Sequence, residues 1–370
     1  MALTRAFLNS QRYDEAKGNI NQTNKTPIVI NGDMAVAQRG DQTGKTAACF
    51  TAVDRFYFNA INLGTWSLTQ DTDNPGFGFA HSLKFNCTTA DTSPAAADNL
   101  YLSMQTELRN LQMMRKGTAS AKTSTVAFWV KCTKTGNFAC ELWDRPNDRH
   151  VVKVVTISSA DTWEKKIVNF PADTSGTLSS SNARSVMISW AFDSGTNFTS
   201  GTGPTSWDAR ADVNRFDGTT LALGDSTDNN LFITGVQWEM GTYDSETMPP
   251  FHFEDAETNL GRCQRYFNKQ VSNAPYSVFT NGFVSNTTTT RCLMRFPEMR
   301  ALPTLSSGGS FQTIETASSR SVSDIAFDSN SRSFETARID ITTASSNAGA
   351  AAMLRASNDT DAFIEADAEM

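Results

Sequence analysis

Between Ile28 and about residue 255 the chain repeats one rhythm, apolar residues at every second position in short runs cut by Gly, Asn, Asp, Ser or Pro. In HSLKFNC, Leu83, Phe85 and Cys87 fall on one face while Ser82, Lys84 and Asn86 take the other. In STVAFWVKC, Val126, Phe128 and Val130 alternate with Ala127 and Trp129, so both faces are expected to be covered. NFACELW, HVVKVVTI, WEKKIVNF and RSVMISWAF follow, the last with Val186, Ile188, Trp190 and Phe192 as an unbroken inward set. Turn signals KTGN, RPND, SSAD and DTSG separate them. The closing strand, LFITGVQWEMG, sets Val236, Trp238 and Met240 against Gln237 and Glu239, with a bulge predicted at Gly235. Many short antiparallel strands at this spacing predict a sandwich.

Two segments depart from the rhythm. NLYLSMQTELRNLQMMRKG places Leu100, Met104, Leu108 and Leu111 at helical spacing, and predicts a strand through about Glu107 followed by one or two helical turns ending at Gly117. ETNLGRCQRYFNKQ predicts a short connecting helix with Leu260 and Cys263 near Tyr266 and Phe267. Beyond it come SVFTNGFV, TTTRCLMRF, ALPTL, SFQTIET, SVSDIAF and ETARIDITTA in a Ser/Thr/Ala-rich background. Each has little to bury within one protomer, so this domain is expected to pack against copies of itself. Residues 1–27 are polar with no periodic apolar face, and read as an arm. The expected fold is all-β: an antiparallel jelly-roll β-sandwich over 28–255, a smaller β-rich C-terminal oligomerisation or tip domain over 256–370, and the N-terminal arm.

Composition narrows the partners. In 370 residues only 19% are charged and the net charge is -7, which disfavours a nucleic-acid surface. No stretch approaches the ~20 apolar residues of a bilayer-spanning helix, so no membrane insertion is expected. The first residues lack a signal peptide's apolar centre, and export by the general secretory route is not expected. Six cysteines lack zinc-site spacing, and are expected to be free thiols, with Cys140 a small core residue.

Catalytic chemistry is thinly supplied. His81, His150 and His252 show no metal-pair spacing and are expected at the surface or at strand edges. There is no G-x-S-x-G elbow and no P-loop. Asp144 with Asp148, Glu239 with Asp244, and Asp208 with Asp212 are conceivable glycosidase pairs, but each is more simply a turn former or solubilising charge. No catalytic residue is assigned, and the chain is expected not to be an enzyme. No cofactor is expected; calcium stays a candidate structural ion because TDNNLF and GDSTD carry loop oxygens, although no EF-hand loop is present.

Binding chemistry is better supplied, since sugars are held by flat aromatic rings with amides and carboxylates on the hydroxyls. Trp207 lies in the polar loop GTGPTSWDARADVN, where it either pins the loop to the sandwich or offers a ring to a sugar. Trp143 closes a strand beside DRPND, Tyr101 begins another, and Asp208 follows Trp207; these four are the candidate glycan contacts. Trp66, Trp129, Trp163, Trp190 and Trp238 are expected in the core.

NGDMAVAQRG, VDRF at 53–56, VAFWVKC at 126–132, DTWEKKIVNFP at 161–171, ITGVQWEMG at 233–241 and GRCQRYF at 261–267 together resemble phage tail-fibre and virion proteins. The central domain of that family is similar to jelly-roll carbohydrate-binding modules, and RFPEMRALPTL at 295–305 resembles C-terminal fibre text. The resemblance implies a virion component assembled in the host cytoplasm, usually a homotrimer, displayed to host-surface glycans. On that reading Leu3, Phe7, Leu8 and Tyr13 would dock the arm on another virion protein. A structural adaptor or capsid decoration protein without a ligand, and a glycan-degrading spike, are the competing expectations.

Overall fold

The computed structural model describes residues 26–316 and 318–370; the arm positions Leu3, Phe7, Leu8 and Tyr13 lie outside the described residues. The chain divides into two compact units. The first runs to Ala35 and takes in Asp41–Thr51 and Phe56–Asp255; the second consists of Val36–Gly40, Ala52–Arg55 and Ala256–Met370. The two short excursions into the second unit carry no periodic signal in the sequence.

The first unit is built from β1 (Gln42–Lys45), β2 (Cys49–Phe50), β3 (Phe56–Ile61), β4 (Thr65–Asp71), β5 (Ser82–Thr89), β6 (Asn99–Glu107) and β7 (Ser124–Cys132). It continues with β8 (Gly136–Asp144), β9 (Arg149–Ile157), β10 (Glu164–Phe170), β11 (Arg184–Ser194), β12 (Asp208–Ala209) and β13 (Asn230–Met240). Two antiparallel sheets result, ordered β1-β4-β5-β13-β7-β10 and β12-β9-β8-β11-β6-β3-β2. The last strand, β13, inserts between β5 and β7, so the chain closes as a jelly-roll sandwich. The strand-to-helix switch falls at Glu107, where β6 passes into a 3-10 helix over Leu108–Met114 that ends on Arg115 in the left-handed region.

The inward residues of both sheets meet as a chain of rings. Trp66 packs on Phe58, Phe58 on Phe85, Phe85 on Phe192, Phe192 on Phe138, Phe138 on Phe128, and Phe128 on Trp190, with centroids 5.6–6.1 Å apart. All seven rings are fully buried, and each contributes ~2–3 kcal/mol of burial. Strand β11 is buried on both faces, because Phe198 and Phe216 of the segment after it pack on Ala139, Val152 and Ala191 outside the sandwich.

The second unit contains α1 (Ala256–Gln264), β14 (Phe267–Val271), β15 (Val278–Asn286), β16 (Thr289–Arg295), β17 (Thr304–Gly308) and β18 (Phe311–Glu315). Then come β19 (Ser318–Arg332), β20 (Thr336–Thr343), β21 (Ala351–Ala356) and β22 (Phe363–Asp367). Strands β14, β22 and β17 form a small sheet, and β15-β16-β20-β19-β18-β21 close into a barrel. Closure corrects the expectation that these strands have little to bury alone: Cys292, Met294, Phe311, Ile339, Ile341 and Leu354 share one interior. In α1 Cys263 is buried and Leu260 is exposed.

Candidate functional site

The four sequence-predicted contacts all come to the seven-stranded sheet or its edge. Asp208 pairs with His150, and His150 with Trp143, so three side chains stand in one row across β12, β9 and β8. Tyr101 stands on the same outer face, opposite Ala191. The surroundings are crowded. Trp207 is only 8% exposed, its Nε1 donates to the Pro171 carbonyl at 2.8 Å, and Lys116 Nζ lies 4.7 Å from its ring centre. It pins its loop and presents no face to solvent, which corrects its candidacy as a sugar platform.

Trp143 is half-buried, with the guanidinium carbons of Arg210, Arg145 and Arg215 lying 4.1, 4.3 and 5.0 Å from its ring centre. Charged groups therefore sit where a pyranose would stack. Tyr101 leans on Phe216 at 5.3 Å, and Asp208 is exposed on the edge strand.

Beneath these rings lies a buried ionic group invisible to sequence spacing. Glu141 is fully buried, with Arg215 Nη2 3.0 Å from its Oε2 and His150 Nδ1 2.9 Å from its Oε1. Burial pushes the Glu141 carboxyl up, but the Arg215 charge and the His150 and Arg215 hydrogen bonds outweigh it and hold the group below the usual carboxylate range. His150 is thus an internal residue, which corrects its expected place at the surface. Its Nδ1 is held by Glu141, while its buried Nε2 has no hydrogen-bond partner among the described residues.

A second ionic group fixes the neighbouring loops. Buried Lys116 pairs with Asp144 and, at 2.6 Å, with Asp173, which also receives Arg149 Nε at 2.9 Å. Asp144 is therefore held as the counter-ion of a buried lysine. In the GDSTD loop, Asp225 is engaged by Lys134 and Asn229, each at 2.7 Å. Among the described residues no three His, Cys, Asp or Glu side chains gather as a metal group, and no helix is long and apolar enough to cross a membrane. All six cysteines are free thiols; burial pushes Cys132 up to about 11 and Cys292 to about 12.

The outer face of the six-stranded sheet offers what the first face lacks. The loop from Asp71 to Ser82 folds back across β13 and β7 and carries Phe77, 76% exposed and stacked on Trp129 with centroids 5.1 Å apart and planes 17° from parallel. Phe77 has φ +54°, between Gly76 at +81° and Gly78 at +92°. A bulky residue in the left-handed region is held there by its surroundings, here by its ring stack and the turn bond from Phe79 N to the Gly76 carbonyl at 3.0 Å.

Three anchors hold the loop. Asp73 pairs with Lys131 and accepts from Trp163 Nε1 at 3.0 Å, and these bonds outweigh burial to hold its carboxyl below the usual range. Ser82 Oγ donates to the Asp73 carbonyl at 2.6 Å. Phe79 packs against Phe251 and Phe253 at 4.9 and 5.0 Å. Gly235, φ +62°, opens the space: a Cβ there would come within 2.7 Å of the Phe79 ring and 2.9 Å of Trp129. The predicted bulge is present, as the β13–β7 register shifts between Thr234 and Gln237.

Trp129 and Trp163 are thus half-buried members of an outer aromatic face, contrary to their expected place in the core. Trp66, Trp190 and Trp238 are in the core. Sequence reading missed Phe77; the usable signal was an aromatic flanked by glycines in NPGFGF, a composition that a strand would not favour.

No family model matches the chain. No curated protein matches it. Solved structures with partial likeness include the enzymatically active domain of tailspike protein 4 of bacteriophage CBA120, 11% identical, covering 58% of this chain and 21% of that one, TM-score 0.28. An arabinose-bound α-L-arabinofuranosidase is 10% identical over 62% of this chain and 31% of its own, TM-score 0.29. The family 11 carbohydrate-binding module from Clostridium thermocellum, in complex with a β-1,3-1,4-mixed-linked tetrasaccharide, is 10% identical over 55% of this chain and 98% of its own, TM-score 0.28. The chain spans less than a third of the length of the first two. At these TM-scores the likenesses carry no argument about function, and the fold stands on the strand pairing described above.

Proposed function

We propose that this chain is a glycan-binding structural protein without catalytic activity, displayed by a phage tail fibre or spike. The observation that carries the binding half is the Phe77–Trp129 stack: an exposed ring, backed by a second ring and held in left-handed backbone, matches the flat apolar face of a pyranose. Phe253, 43% exposed, extends the apolar surface, and the Lys84–Asp71 pair at 3.6 Å belongs to the neighbouring strands β5 and β4, where it offers donors and acceptors for hydroxyls. The virion half rests on the ordered phrases from NGDMAVAQRG to GRCQRYF. A homotrimer would multiply a weak single site into useful avidity.

The test is a glycan array probed with the full chain, beside Phe77→Ala. Binding that disappears with Phe77 supports the reading. Absence of binding to every host-surface glycan, with the chain located in the particle, would favour a structural adaptor. Release of reducing ends from host polysaccharide would favour a glycan-degrading spike.

A further inference from the structure

The arginines around Trp143 have no counterpart elsewhere in the described sandwich. Arg145, Arg210 and Arg215 converge on one indole, and Arg145 N donates to the Ser185 carbonyl at 3.4 Å, which sets Arg145 beside Arg184, the first residue of β11. Two of the four are neutralised, Arg215 by Glu141 and Arg210 by Asp212. Among the described residues Arg145 and Arg184 have no carboxylate in ion-pair range. The carboxylates placed beside them are engaged elsewhere: Glu107, opposite Arg184 across β6, holds Arg109 Nε at 2.6 Å, and Asp148 accepts from Trp143 Nε1 at 3.2 Å.

We infer that Arg145 and Arg184, with Trp143 behind them, form a second site that takes the anionic group of an acidic saccharide, a uronate carboxylate or a sulfate ester. Guanidinium suits either oxyanion because its planar fork donates two parallel hydrogen bonds, and the Arg145 guanidinium carbon lies over the Trp143 ring, 4.3 Å from its centre. Mutual repulsion fits the same reading. Burial and the charges of Arg184, Arg215 and Arg210 press the Arg145 guanidinium below its ordinary value, so a bound anion would relieve a cost already present in the free protein. Arg184 is exposed and Arg145 half-buried, so an anion can approach from solvent while the indole lowers the local dielectric. The site lies on the opposite sheet from Phe77, and rests on the glycan reading only for the carrier of the anion.

The experiment uses the full chain, Arg145→Gln with Arg184→Gln, and Phe77→Ala. Each is titrated with matched oligosaccharides, neutral, uronate-bearing and sulfated, and separately with inorganic sulfate followed by the arginine Nε–H signals in NMR. The expected result is acidic binding at least about tenfold tighter than neutral, weakened by salt, and reduced to the neutral level in the double Arg variant while neutral binding persists. The uronate and sulfate arms then identify which anion is preferred. Equal affinity for neutral and acidic sugars would overturn the inference and leave the Phe77 platform standing. Should no saccharide bind, the glycan reading fails, and the sulfate titration still decides the anion site: shifts at Arg145 and Arg184 sustain it, and unmoved signals refute it.

Discussion

Phe77 lies almost parallel to Trp129, yet it is Trp129 that the fold protects and Phe77 that faces solvent. An exposed ring adds little to folding, because most of its surface stays in water, and its left-handed backbone carries a cost of roughly 1–3 kcal/mol. Phe77→Ala should therefore leave the urea midpoint within about 0.5 kcal/mol of the parent while weakening a glycan contact about two- to tenfold. Paired unfolding and binding titrations check this. Lost stability with unchanged binding would make Phe77 a fastener for its loop.

Gly235 tests whether the platform depends on the bulge beneath it. An alanine there meets both a positive φ and two aromatic rings, Phe79 and Trp129. Gly235→Ala should destabilise by about 1–3 kcal/mol and alter tryptophan fluorescence, since Trp129 must shift to admit the methyl group. An unchanged emission spectrum with full stability would mean that the rings are not locked over the strand.

The contrast between these two residues marks what the sequence could reveal. The bulge at Gly235, the inward set Val186, Ile188, Trp190 and Phe192, and the strand-to-helix switch at Glu107 were legible because period and turn chemistry are local properties. Strand β21, AAMLRA, was missed because small alanines blur the alternation. The surroundings of the candidate tryptophans were not legible, for a different reason. Trp207 and Trp143 were singled out as tryptophans in polar surroundings, but their burial is decided by long-range partners, Pro171 for one and Arg210 and Arg215 for the other. Phe77 becomes visible only when its loop is seen folded back on β7.

Glu141 is the buried counter-ion of Arg215, and His150 holds its other oxygen. Replacing Glu141 by Gln leaves a buried guanidinium without its counter-charge, and removing one member of such a pair costs about 3–5 kcal/mol. The loss should be largest in the segment that Phe216 anchors over the seven-stranded sheet, read as faster amide exchange across residues 195–221. A Glu141→Gln chain as stable as the parent would show that the pair merely breaks even with its own desolvation.

In the second unit Asp54 gives a pH dependence of definite sign. Burial pushes its carboxyl up to about 7, and the hydrogen bond from Gln38 and the Arg39 charge offset this only in part. The folded state then keeps a proton that the unfolded chain releases near pH 4. Stability from this group is complete below about pH 4 and is lost as pH rises toward about 7, at no more than about 1.4 kcal/mol per pH unit. Glu369, also raised by burial, acts in the same direction. Carboxylates held low, such as Asp73 and Glu141, act only as pH falls below about 4, and so leave this window clear. Asp54→Asn keeps an acceptor for the Gln38 amide, which donates at 3.1 Å, but has no proton to release. Denaturant unfolding at intervals between about pH 4.5 and 6.5 should show stability falling less steeply in the variant than in the parent. Identical slopes would place the Asp54 proton equilibrium in the ordinary range and remove the buried neutral carboxyl from the account of this unit.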